Sequence, residues 1–351
     1  MHAETGVVDP LLEARALTQV FRLPAMLPFR PPRVVHAVSE VSFTLAPGAC
    51  LGLVGETGCG KSTLARSIMQ APPPAAGDVL FQGQSLVTAD RETRRALRRQ
   101  MQYVFQDPFA SLDPTWRIAD LVAEPLRIAG WDGPRARVRT EEVLLAVGID
   151  PIRYGARRPR EVSGGQCQRI AVARALALSP ALLICDEVVS GLDVSIQAQL
   201  LNLFVELRRS FGLAYLFISH DLGVVRHLSD RVAVMYLGRI VEIGPSDALY
   251  RRPRHPYTAA LLGAVPSVSR GEAARRRLRV KLTGELPSPL APPSGCRFRT
   301  RCPRAEARCA AETPSLLADT AGHAVACHFP LADAASADQP RPTLSLSPTR
   351  P

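Results

Sequence analysis

The chain almost lacks lysine. Of 43 basic residues only Lys61 and Lys281 are lysines, and the rest are arginine. At that ratio a basic position carries lysine about one time in twenty, so a lysine inside a motif that demands one is informative. No uncharged apolar run reaches the eighteen or so residues that span a bilayer, which excludes a membrane helix. The N-terminus, MHAETGVVDP, also lacks a basic segment followed by an apolar one, so the chain is expected to stay in the cytoplasm. Internal repeats are missing. Acidic residues are the minority, 32 against 43, for a net charge of +11. That surplus suits nucleic acid or an anionic leaflet equally well. The run Arg91 to Arg99 has no interleaved aromatics for base stacking and reads as a solvated helix face. Eight cysteines in a cytosolic chain argue against disulfides.

What is present is ample apolar content, 46% of 351 residues, enough for one large domain and a smaller appendage. Residues 11 to 54 read as strands broken by turns, with a Pro/Arg-rich insert near 24 to 33, and end in the buried strand CLGLV. A helix follows from 61 to 70. From Trp116 to about Arg160 the pattern is helical and arginine-rich; beyond it helices and strands alternate, which predicts parallel strands with crossover helices. RVAVMY and RIVEI, parted by Leu237 and Gly238, read as a closing hairpin. The last twenty residues have too little apolar surface to order, and a disordered tail is expected over 331–351.

Between CLGLV and that helix stands GETGCGKST, Gly55 to Thr63. Strand, glycine loop and helix in that order make a P-loop for nucleotide phosphates. Gly55, Gly58 and Gly60, with Cys59 among them, let backbone amides wrap the phosphates, and Lys61 reaches over them as a compact ammonium. Ser62 is the expected Mg²⁺ ligand and Thr63 supports the cradle. ALLICDE delivers two carboxylates at a strand end: Asp186 to hold Mg²⁺ and Glu187 to act as general base. Ser163, Gly164 and Gly165 open a further helix, either as an ordinary cap or as an anion site.

Ser-Gly-Gly-Gln, about a hundred residues after the P-loop and twenty before the paired acids, resembles the signature of ATP-binding-cassette (ABC) ATPases. With it, Gln106 in VFQDP resembles the family's Q-loop, Ser190 to Asp193 its D-loop, and His220 in ISHDL its switch histidine. Phe21 is similar to the aromatic that stacks on adenine. The resemblance implies an α/β fold: a P-loop NTPase with a RecA-like core, an N-terminal antiparallel β subdomain, a helical subdomain over about 109–175, and a small cysteine-containing C-terminal extension. It also implies ATP hydrolysis in a head-to-tail pair of cassettes, where Ser163, Gly165 and Gln166 reach the γ-phosphate on the partner's P-loop. Gln106 is then a Mg²⁺ and water sensor, and His220 touches the γ-phosphate and the attacking water.

QDPFASLDP, CDEVVSGLDVSIQAQ, HPYTAALLGAVP and LPSPLAPPSGCRFRTRCP are similar to the oligopeptide/dipeptide importer ATPases, and the insert resembles the second of their two paired ATPases. The expected division is a cassette over 1–265 and an extension over 266–330. Expected partners are a second ATPase subunit, non-identical or a second copy, two permease subunits and indirectly an external solute-binding protein, at the cytoplasmic face of the inner membrane. No nucleic acid is expected; the rival reading is a soluble cassette ATPase acting on nucleic acid. Departures from the pattern are Cys167 for arginine, Val188 for Ala or Pro, and Gly191 for Ala. Cys296, Cys302, Cys309 and Cys327, separated by five, six and seventeen residues, lack the C-x-x-C spacing typical of zinc knuckles. The resemblance implies ligands of a [4Fe-4S] cluster, while zinc and free thiols stay open.

Overall fold

A computed structural model describes residues 9–24, 32–264 and 284–331. Most of the Pro/Arg-rich insert, Lys281 and the tail from residue 332 lie outside the described residues.

Two sheets carry the chain. β1 (Leu12–Leu23) and β2 (Arg33–Leu45) pair antiparallel. β4 (Ala76–Phe81) pairs with β1, and β5 (Gln84–Ser85) with β4, for the order β2-β1-β4-β5. This is the N-terminal antiparallel layer that the alternating residues 33–45 call for. The second sheet runs β11-β12-β10-β9-β3-β8-β7-β6. Its parallel centre joins β3 (Cys50–Val54), β6 (Met101–Val104), β7 (Leu182–Asp186), β8 (Ala214–Ser219) and β9 (Arg231–Tyr236). Strands buried on both faces need continuous apolar runs, and CLGLV, LLICD and AYLFIS are buried throughout. Gly52 in β3 is required by packing, since a Cβ there would stand 2.2 Å from Cγ1 of Val225.

The expected hairpin is present: β10 (Arg239–Pro245) folds back on β9 through Leu237 and Gly238, at φ +41° and +82°. Two positive φ values in a two-residue turn match the right-handed twist of the strands. β11 (Leu317–Ala318) and β12 (Ala324–Val325) extend the same sheet beyond β10, so late residues are stitched to the main body.

Helices cover the sheet. α1 (Lys61–Ile68) follows the glycine loop, and α2 (Arg91–Arg99) buries only Leu97, as a solvated face should. α3 (Pro108–Ser111), α4 (Ile118–Ile128), α5 (Gly133–Ala146), α6 (Pro151–Tyr154) and α7 (Gly164–Leu176) form a helical layer beside the sheet. α4 and α7 are tied by the Arg174–Glu124 ion pair at 2.6 Å. α8 (Val194–Phe211), α9 (Leu222–Leu228), α10 (Ser246–Arg251) and α11 (Pro256–Ala264) complete the crossovers and follow the last strands of the main sheet. Phe298, 1% exposed, meets Tyr236 and Tyr257 with ring centroids 5.2 and 5.4 Å apart, so the late segment shares the main core.

Candidate active site

The register of the parallel strands builds the site. Val54 stands opposite Ser219, Asp186 opposite Ile218, and Val104 opposite Cys185. The chain therefore leaves β3, β8, β7 and β6 along one sheet edge, where open α/β folds bind ligands. That edge gathers the glycine loop, His220, Glu187 and Gln106.

Glycine is obligatory in the loop. Gly60 caps α1 at φ +109°, and a Cβ on it would lie 2.2 Å from the Ala37 carbonyl oxygen. At Gly55 a Cβ would lie 2.2 Å from the Met235 carbonyl oxygen. No side chain caps α1, so its first amides are left to a ligand. Lys61, only 4% exposed, curls back with Nζ 2.8 Å from the Gly55 carbonyl oxygen and 3.2 Å from that of Glu56. Cys59 turns its thiol into the core, and burial raises its pKa, so only its backbone is available to phosphate.

The paired acids are set apart by their surroundings. Asp186 accepts from the Ser62 hydroxyl at 3.0 Å and from the Tyr103 hydroxyl at 2.5 Å. A hydroxyl and a carboxylate oxygen side by side are the hard donors that Mg²⁺ takes. Tyr103 keeps its proton, because burial and the neighbouring Asp186 push its pKa well above the ordinary value. Glu187 stands between the Lys61 ammonium, with Nζ at 3.9 Å, and the His220 imidazole, with Nδ1 at 3.4 Å. Its φ is +51°, an uncommon backbone state for glutamate that costs on the order of 1–3 kcal/mol. Three hydrogen bonds hold that turn: Glu187 N–H to Ile218 at 3.0 Å, and the Ser190 amide and hydroxyl to the Glu187 carbonyl at 3.0 and 2.8 Å. Gln106 donates to the Ser190 hydroxyl at 3.3 Å.

A cleft of about 360 Å³ lies over the loop. Phe21, the loop residues 57–63, Gln106 and Glu187 line it. Val35, His36, Leu237, Gly238 and Pro289 line it too, and no local pattern singles them out. Tyr103 also escapes a sequence reading, since only the register of β6 against β7 brings it to Asp186. A larger groove, about 620 Å³, runs elsewhere, rimmed by Arg91, Arg94, Arg95, Arg98 and Arg99 and reaching Phe105 beside Gln106.

The structure does not bring every candidate to the cleft. Gly55, Asp186 and His220 do not line it but touch Lys61, Ser62 and Glu187, which do; Ser163, Gly165, Gln166 and Asp193 do not line it either. Ser163 and Gln166 form a capping box on α7: the Gln166 amide donates to the serine hydroxyl at 3.3 Å, and the Ser163 amide to the glutamine carbonyl at 3.0 Å. Gly165 lets α8 approach, since a Cβ would sit 2.8 Å from Ile196 Cγ2. Asp193 caps α8 through the Ile196 amide at 3.0 Å, and hydrogen bonds from Ile196 and Ser195 lower its pKa. Cys167 is fully buried, its thiol directed at the Pro159 carbonyl at 3.3 Å, and Val188 is core. Gly191 adopts φ +75°, where alanine would be strained.

The four late cysteines lie apart from the cleft lining. They gather in one module: the Cys296 amide donates to the Cys309 carbonyl at 2.8 Å, and the Cys327 thiol feels the other three. Burial raises the thiol pKa of Cys296 and Cys302, and pushes Cys327 up to about 11. Yet among the described residues no three or more His, Cys, Asp or Glu are arranged to hold a metal ion. The thiols lie on a turn, a short helix and the stretch after β12, whose places are set by Phe298 and by pairing with β10. The expected [4Fe-4S] or Zn²⁺ site thus has no support among the described residues.

Comparisons with known proteins extend these observations. Residues 38–190 match the family described as ABC transporter, and residues 241–309 match the C-terminal region of oligopeptide/dipeptide transporters. The chain is 48% identical over 342 residues to a probable peptide ABC transporter ATP-binding protein, y4tS, of Sinorhizobium fredii, covering 97% of this chain and 95% of that one. It is 48% identical to the oligopeptide transport ATP-binding protein AppF of Bacillus subtilis, covering 92% and 98%. Among solved structures, cbiO1 from Clostridium perfringens, part of the ABC transporter complex cbiONQ, aligns with TM-score 0.62 at 23% identity over 78% of this chain and all of that one. The cassette MJ0796 bound to ADP and Pi aligns with TM-score 0.59 at 24% identity, over 67% and 98%. At such identities the structures establish the fold. These relatives lend no support to the nucleic-acid reading.

Proposed function

The chain belongs to the ABC transporter family, among the ATP-hydrolysing subunits of oligopeptide/dipeptide transporters, and on that footing we propose that it energises uptake of peptides or related small solutes. The observation that carries the site assignment is the meeting of Lys61, Glu187 and His220 within 3.9 Å at the C-terminal sheet edge, beside the Ser62–Asp186 pair.

Lys61, parked on its own loop carbonyls, turns to the β- and γ-phosphates of ATP, whose oxygens replace those carbonyls. The open amides of the loop and of α1 take the remaining phosphate oxygens, and Phe21 stacks on the base. Ser62 and Asp186 are the residues that would hold Mg²⁺, which offsets phosphate charge when bound; Gln106, which lines the same cleft as Ser62, would join them. Glu187 takes the proton of the attacking water. His220, at its flank, orients that carboxylate and faces the γ-phosphate. Tyr103 keeps Asp186 aimed by donating to its second oxygen. Because Ser163, Gly165, Gln166 and Asp193 lie away from the cleft, they serve the ATP held by a partner cassette, non-identical or a second copy. No step runs through the four cysteines.

The arginine-rimmed groove beside Gln106 is the place for the permease contact, so closure of the cassettes reaches the membrane through the Gln106 loop. Among the described residues no helix is long and apolar enough to cross a membrane, which fits a peripheral subunit on the cytoplasmic face. We keep the division at about residue 265 between cassette and extension as part of this reading. Glu187→Gln tests the chemistry: ATP binding persists in a nucleotide titration while turnover falls about 10²- to 10⁴-fold. Unchanged hydrolysis would remove Glu187 as the base.

A further inference from the structure

We propose that the C-terminal extension is a working part of the nucleotide site, with Arg301 as a positioning residue that sets the P-loop through Glu56. The inference rests on the nucleotide-site reading above and goes beyond it, because it adds a wall and a clamp from outside the cassette.

Three parts of the cleft do not belong to the parallel sheet edge's own acids, and the extension grips each of them. Arg301, 8% exposed, donates from Nη1 to both carboxylate oxygens of Glu56, at 3.0 and 2.9 Å. The Pro289 carbonyl accepts from the His36 amide at 2.9 Å, and both residues line the cleft. Arg297 donates to the Leu237 carbonyl, in the turn that lines the cleft, and to the Ser39 hydroxyl at 2.8 Å.

Glu56 is the pivot. Its carbonyl receives the Lys61 ammonium at 3.2 Å and its amide donates to the Tyr257 hydroxyl at 3.0 Å, while its carboxylate is taken by Arg301. One residue thus links the phosphate-binding lysine to the extension. The pairing also has an electrostatic consequence. A carboxylate beside the loop repels the triphosphate, and a buried guanidinium hydrogen-bonded to it cancels that charge. Burying the arginine is costly: its Nε is buried with no partner among the described residues. The clamp therefore sits where core packing alone would favour an apolar residue.

Arg301→Ala in the full chain tests this by ATP titration and steady-state turnover. The expected result is about a tenfold weaker apparent affinity, with most of the loss of kcat/KM in KM rather than kcat. Glu56→Ala added to Arg301→Ala should bring the affinity back to within about threefold of native, because the unpaired carboxylate is gone. If Arg301→Ala does not fold, Arg301→Lys replaces it, with about a threefold loss that Glu56→Ala also relieves. An unchanged affinity in the single variant, or a loss that Glu56→Ala fails to relieve, overturns the inference. Lys61→Ala run alongside separates the two readings: abolished binding there upholds the nucleotide site whatever Arg301 does, and intact binding there defeats that site itself.

Discussion

The two glycine-bearing helix starts differ in whether their own side chains close them. α1 begins at Gly60 with no side-chain cap, and its first side chain, Lys61, is folded onto the loop behind it. α7 begins at Ser163, whose capping box with Gln166 satisfies donors at both ends of the first turn. An open helix start is a site ready for an anion, whereas a closed one is first of all a stable helix. The difference teaches that the same residue vocabulary, glycine and hydroxyl before a helix, serves binding only where the backbone donors stay unclaimed. It also supports the proposal that the P-loop holds ATP within its own chain while the signature turn serves a partner's nucleotide.

The comparison breaks most severely at Gly60. Gly60→Ala meets the Ala37 carbonyl at 2.2 Å from a backbone at φ +109°, so nucleotide affinity should fall more than about a hundredfold and stability by roughly 1–3 kcal/mol, read by titration and thermal melting. Normal binding by that variant would show that the open start is not the basis of the site. Ser163→Ala is the intermediate case. It should cost about 1 kcal/mol of stability as a lost cap and cut turnover about tenfold, with ATP affinity kept; turnover untouched by the change would reduce the signature turn to a cap alone. Asp90→Ala at the start of α2 is the smallest. Asp90 accepts from the Thr93 amide at 2.8 Å, away from the cleft, so a slightly lower melting temperature is expected and hydrolysis stays within about twofold of native. Acid should act likewise: the Thr93 amide and hydroxyl hold the Asp90 carboxyl below its usual value of 3.8, so its contribution is full above that pH and is lost as pH falls through the lowered value.

Much of the site was legible because its parts are local. Gly55 to Thr63 is nine consecutive residues, and Asp186 and Glu187 end an unbroken apolar strand, so a strand, loop and helix can be read without knowing what packs on them. Leu237 and Gly238 between two apolar runs likewise announce a hairpin. Tyr103, His36, Pro289 and Arg301 were not legible, because each acts through a partner far along the chain; Arg301 and Glu56 are 245 residues apart. The cysteine module is the opposite case: four ligand-type residues can be counted in one region of the sequence, but among the described residues no three are arranged to hold a metal ion.

Sequence by itself determined the nucleotide motif, the alternation of strand and helix, and the helix start at Ser163, because backbone propensity and hydrogen-bond reach operate over a few residues. The tertiary structure alone decided the strand order that lines up Val54, Asp186 and Ser219, the Glu187 carboxylate between Lys61 and His220, and the grip of the late segment on the P-loop. Those depend on which buried faces meet once apolar surface leaves water, and that is a property of the whole packed chain rather than of any window within it.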